Sequence, residues 1–175
     1  MDTHRVAGTS PEIRSLDAVL AFESTDVVER FMEHFAVSRD EAKLLFDDTK
    51  RWCWLCATAT MERRRGLPGV PERLVIDDAL IMVDEMWHNF ICWTELYSRF
   101  CLEFFGFFVH HFPTPHRVKG QLQEEVRRNP SIQADRRRVR YHYICDKLGK
   151  ETLVRWYVEY PARYSVEVIR TLRRR

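Results

Sequence analysis

Residues 38–61 read SRDEAKLLFDDTKRWCWLCATATM, and the placement of their apolar side chains decides the fold class. Ala42, Leu45, Phe46, Trp52, Leu55, Cys56 and Ala59 recur mostly at three- and four-residue steps, the period that gathers side chains on one face of an α-helix. Ser38 and Glu41 stand ahead of the run at the spacing of a capping box, in which each side chain satisfies a backbone donor of the other residue. Gly66, Pro68, Gly69 and Pro71 stop it, since neither residue type sustains a helix. One long helix towards Met61 is expected, followed by a connector over 66–76.

Upstream, Val27, Val28, Phe31, Met32 and Phe35 predict a helix from Thr25 or Asp26 to about Val37, and residues 1–20 read as a weakly patterned arm. Downstream, Asp77 or Asp78 can cap a helix running through Trp87, His88 and Ile91. Thr94-Glu95 offers a second start, so 78–109 is either one helix or two meeting at a bend. Gly106 and Phe112-Pro113-Thr114-Pro115 end that region. A short polar helix is expected over 117–128, broken by Asn129-Pro130. A basic helix over Ile132–Leu148 stops at Gly149, and another spans Lys150–Glu159 before Pro161. Tyr164, Val166 and Val168 alternate, the pattern of a short strand near the C-terminus. The expectation is an all-α, single irregular bundle of about six helices over 21–175, with its core from 38–62 and 78–109.

With 175 residues and 45% hydrophobic side chains, the chain has one domain's worth of core. Only 6 Gly and 7 Pro exclude a collagen-like or disordered composition. His88, Asn89, Glu95, Arg99 and Glu103 interrupt the apolar stretch Met86–Val109, so no membrane span is expected. The first 25 residues carry no secretory pattern, and five cysteines, an odd number, suit a reducing compartment. A cytoplasmic location follows as the expectation.

The net charge of +2 conceals an asymmetry. Residues 1–116 carry 12 Lys and Arg against 19 Asp and Glu, a balance of −7, whereas residues 117–175 carry 16 against 7, a balance of +9. Two halves that neutralise each other within one fold would produce this pattern, and so would a surface for an acidic partner or nucleic acid. Arg136, Arg137, Arg138 and Arg140 form the candidate basic surface, with Arg173, Arg174 and Arg175 as a second cluster. No RNA-module, zinc-finger or helix-turn-helix pattern accompanies them.

The residues able to carry chemistry centre on Val83-Asp84-Glu85-Met86-Trp87-His88 and continue through Tyr97 and Cys101 to His110-His111-Phe112-Pro113. On a continuous helix Asp84, His88, Ile91 and Glu95 share a face. A break near Thr94 would let Tyr97 and Cys101 fold back over His88, with His110 or His111 added from the loop after Gly106. Imidazole, phenol and thiol at one place suit a transition metal, with Asp84 as orienter or base. The alternative is a structural hydrogen-bond cluster around a largely buried His88 bonded to Tyr97, to a loop imidazole or to backbone. Glu85-x-x-His88 matches half of a di-iron signature, and the second half is missing. Cys53-x-x-Cys56 has redox spacing but falls mid-helix, where buried thiols are expected; a Cys101 nucleophile paired with a loop histidine is the further option.

The residues from Val83 to Pro113, with Gly106 among them, resemble the shared helical region of the glycine-rich domain-containing proteins in their bacterial form. Lys50-Arg51-Trp52, Leu55, Gly149, Trp156-Tyr157, Tyr160-Pro161 and Arg163-Tyr164 extend the resemblance over about residues 25–165. The Gly-rich tail is missing, and Asn89-Phe90 stands where the plant form tends to carry a second His. The resemblance implies a helical fold. The function expected is a non-enzymatic interaction or accessory subunit with a protein partner. The alternative is a metal-binding protein or metal-dependent enzyme using His88, Tyr97, Cys101 and His110 or His111.

Overall fold

The computed structural model describes residues 12–112, 124 and 128–174. Its centre is helix α3, Arg39–Arg64, which buries Ala42, Leu45, Phe46, Trp52, Cys53, Leu55, Ala57 and Ala59. Ser38 caps it by accepting from the Glu41 N–H at 3.2 Å. The Glu41 carboxylate does not return to the cap. It accepts instead from Tyr164 Oη at 2.5 Å and pairs with Arg163 at 3.0 Å, so the second half of the expected box is used to hold the far end of the chain.

Around α3 pack α1 (Leu16–Leu20), α2 (Thr25–His34) and α4 (Ile81–Ile91). Residues 16–20, read from sequence as part of the arm, form a capped helix with Val19 wholly buried, because Ser15 accepts from the Ala18 N–H. Asp77 caps a 3₁₀ turn, Asp78–Leu80, that leads into α4. α4 ends at Ile91 and α5 runs over Thr94–Phe105, so 78–109 is two helices with a bend at Cys92-Trp93. A long helix α6, Pro130–Val154, is interrupted at Gly149, whose φ of 84° and ψ of 160° only glycine adopts without strain. A π-helical turn over Arg155–Glu159, α7 (Tyr160–Arg163) and α8 (Val166–Leu172) complete the described chain.

The protein is an all-α irregular bundle, and no β-sheet occurs among the described residues. The alternation at Tyr164, Val166 and Val168 does not make a strand. Ser165 accepts from the Val168 N–H and starts α8, and a lone bridge joins Phe35 to Arg173. The polar helix expected at 117–128 lies largely outside the described residues. No described helix is long and apolar enough to cross a membrane.

Part of the charge asymmetry is consumed inside the fold. Asp48, wholly buried on α3, accepts from Arg155 Nη2 at 2.7 Å and Nε at 2.8 Å, from Arg51 at 3.0 Å and from Tyr160 Oη at 2.6 Å. Lys147 pairs with Glu62 at 2.7 Å, and Arg140 with Asp77 at 2.6 Å. Removing one partner of a buried pair strands the other, at a cost of about 3–5 kcal/mol. Asp48→Ala should therefore lower the urea-unfolding free energy by roughly that amount. A loss under about 1 kcal/mol, the range of an exposed pair, would contradict the hub assignment.

Candidate metal centre

Helix α4 turns Met82, Val83, Met86, Trp87, Asn89 and Phe90 inward and leaves Asp84 and His88, one turn apart, on its open side. The inward neighbour, Trp87, organises the site. Its indole Nε1–H donates to Tyr97 Oη at 3.0 Å, and that hydroxyl donates to the Val109 carbonyl at 2.6 Å. Gly106 ends α5 in the left-handed region at φ 72°, which turns the chain back towards α4. The Tyr97 bond then fixes the returning segment, and two residues later His111 lies edge-on to the Trp87 ring with centroids 4.6 Å apart.

His111 Nε2 donates to Asp84 Oδ1 at 2.8 Å, and His88 Nδ1 lies 3.6 Å from Asp84 Oδ2. The two imidazole centroids are 4.4 Å apart. One ligand atom from each of Asp84, His88 and His111 falls within 4.8 Å of the others, so the three form a cluster with the geometry to hold a metal ion. Donors on a tetrahedral ion with ~2.0–2.1 Å bonds sit about 3.3 Å apart. The Asp84 contacts, 2.8 and 3.6 Å, bracket that value, and the longer one is to His88, whose side chain is 51% exposed. His111 and Asp84 are more enclosed, at 15% and 30%.

The other residues singled out from sequence lie elsewhere. His110 turns away and sits between the rings of Phe108 and Phe112, at 4.9 and 5.6 Å. Tyr97 and Cys101 are wholly buried on the inner face of α5 and do not reach the cluster. The bend at 92–93 does fold α5 back, but over Trp87, because residues 87 and 90 rather than 88 face the core. His88 is accordingly exposed, and its neighbour is Asp84 rather than Tyr97. Glu85 pairs with Arg173, away from the cluster.

Burial pushes the Cys53 and Cys101 thiols upward, as it does the Tyr97 phenol, which disfavours the thiolate that a Cys101 nucleophile would need. Cys56 is pushed up to about 12 by the same cause, and both thiols of Cys53-x-x-Cys56 are free, as expected of buried mid-helix cysteines. In the basic run, Arg137 is exposed, Arg138 pairs with Asp135 at 3.4 Å, and Arg136 is exposed. Arg140 is not a surface charge. It is held by Asp77 and by the Val75 carbonyl at 3.2 Å, with its guanidinium over Tyr141 and Tyr157.

Three participants escape the sequence. Trp87 reads as a core residue, yet it couples α4 to the His111 segment. Asn89, 6% exposed, donates to the Val27 carbonyl at 2.8 Å and accepts from Arg30 at 2.7 Å, tying α2 to the same helix. Arg30 itself lies 59 positions from Asn89, and no local spacing announces such a pair.

A family model described as UCP032817-like matches residues 33–147. The chain belongs to that family. The matched UCP032817-like region contains α3, α4, α5 and all three cluster residues, Asp84, His88 and His111, whereas Arg30 and Arg173 fall outside it. No curated protein and no solved structure matches the chain.

Tyr97→Phe leaves the Trp87 donor and the Val109 acceptor unpaired inside the core. It should destabilise the protein by about 1–3 kcal/mol and loosen the 106–112 segment, seen as faster amide exchange there. Unchanged stability and exchange would deny that the phenol holds the loop. Brief treatment of the native protein with iodoacetamide should label Cys92, which is exposed, and leave Cys53 and Cys101 unmodified by mass spectrometry.

Proposed function

We propose that the chain is a metal-binding protein whose centre is Asp84, His88 and His111, holding a first-row divalent ion such as zinc or iron(II). The observation that carries this reading is the convergence of two imidazoles and one carboxylate within 4.8 Å at a half-open surface. Two histidines and a carboxylate are the ligand set of catalytic rather than structural sites, because three protein ligands leave positions for water or an external molecule. Such an ion would act as a Lewis acid on a bound oxygen or lower the pKa of bound water towards neutrality. Trp87 and Tyr97 hold the His111 segment, and α4 sets Asp84 and His88 one turn apart; an ion bound here would take the place of the proton between His111 and Asp84. Kinship with the glycine-rich domain-containing proteins is proposed on the residues quoted from sequence.

A second reading, an interaction subunit with a protein partner, is favoured by a groove of about 740 Å³ along α6, lined by Ala134, Arg137, Arg138, Tyr141, Cys145 and Leu153. It concerns a different face and is compatible with the first.

Elemental analysis of untagged protein, incubated with zinc and freed of excess, should give one equivalent of metal. Asp84→Ala, His88→Ala and His111→Ala should each lose it, while His110→Ala and Cys101→Ala should retain it. Metal that persists in His111→Ala, or disappears in His110→Ala, would contradict the assignment.

A further inference from the structure

His88 belongs to two places. One flank meets Asp84 and His111, and the ring also lines a groove of about 240 Å³ between α2, α4 and the segment that follows α8. The charged side chains of that groove are Arg30, Arg173, Arg174 and Glu85, joined by the imidazoles of His34 and His88. Three guanidiniums against one carboxylate leave a surplus of two positive charges before either imidazole is counted.

How those cations are engaged decides what the groove can bind. Arg173 is occupied by Glu85, and its guanidinium lies 5.5 Å from the centroid of the Phe35 ring. Arg30 spends one donor on Asn89 Oδ1, and a guanidinium carries five. The Asn89 amide is itself fixed, because its Nδ2 donates to the Val27 carbonyl, so Arg30 is held in place with donors to spare. Arg174 has its backbone anchored, its N–H donating to the His34 carbonyl at 2.8 Å, while its side chain forms no ion pair among the described residues. Two guanidiniums with unused donors, Arg30 oriented by Asn89 and Arg174 carried on an anchored backbone, line one small groove and suit a compact oxyanion.

We propose that this groove is the substrate-anchoring half of the Asp84/His88/His111 centre and takes the phosphate group of a small phosphate ester. Arg30 and Arg174 grip the phosphate oxygens. The shared wall at His88 then directs an oxygen of the ligand towards the ion. The charge surplus of two matches the dianionic form of a phosphate monoester, and the groove volume admits a phosphate with a short organic stem but not a polymer. The link to the ion rests on the metal-binding proposal. The grip of the two arginines on phosphate does not.

The test is calorimetric titration of inorganic phosphate into the full chain, metal-free and cobalt-loaded, at low ionic strength, with acetate as the comparison anion. Wild-type protein should bind phosphate in both forms, and more tightly with cobalt, whereas acetate should bind at least tenfold more weakly. Arg174→Ala, whose side chain is exposed, should weaken phosphate about tenfold or more with unchanged melting and cobalt stoichiometry, the loss of a charge-assisted contact. Arg30→Ala should weaken phosphate to a similar degree with unchanged cobalt stoichiometry, its melting lowered by the loss of the bond to Asn89. The phosphorus resonance should broaden in the cobalt form, placing the anion beside the ion. Phosphate binding that survives both arginine variants, or acetate binding as tightly as phosphate, would overturn the proposal. Arginine-dependent phosphate binding in a protein that takes no cobalt would support the groove and remove the metal reading. Cobalt uptake without phosphate binding would do the reverse.

Discussion

The donation from Trp87 to Tyr97 and from Tyr97 to the Val109 carbonyl is the constraint on which the site depends. It joins two helices and a returning loop through three groups that the core would otherwise leave unpaired, and an unpaired buried polar group is costly. The loop carries His111, and His111 is the only cluster residue not on α4. Without this linkage Asp84 and His88 would remain an ordinary pair on a helix surface. With it, a second imidazole arrives at 2.8 Å from the Asp84 carboxylate.

Around that linkage the rest of the molecule acts as scaffold. The basic later part of the chain closes on the acidic earlier part through Asp48 with Arg155, Glu62 with Lys147, Asp77 with Arg140 and Glu41 with Arg163. Of the run that looks, in sequence, like a docking surface, these contacts use Arg140 and leave Arg136, Arg137 and Arg138 exposed. The contact of Glu85 with Arg173 has a further effect, since it brings Arg174 to the groove beside His88.

The helices are legible in the sequence because their signals are local: three-and-four spacing over 38–61, the Ser38 cap, the stop at Gly66 and the kink at Gly149. The pairing of Asp84 with His88 is legible for the same reason, being set by one helical turn. What is not legible is which side of α4 faces the core. Trp87 and His88 are adjacent, and only the position of α5 decides that the indole, not the imidazole, meets Tyr97. The choice of His111 over His110 depends in turn on the register in which Val109 is held. The strand pattern at 164–168 misleads because Ser165 is a helix cap, and a cap outweighs three alternating residues.

The central claim is that an ion bound here sees two imidazoles and a carboxylate and no thiolate, although four groups that could ligate it, His110, Tyr97, Cys101 and Cys53, lie within the same few turns of sequence or core. X-ray absorption at the zinc edge of the loaded full chain tests this most directly. The account predicts a first shell of nitrogen and oxygen at ~2.0–2.1 Å, with the outer scattering of two imidazole rings. A sulfur shell at ~2.3 Å, or scattering from a single imidazole, would contradict it.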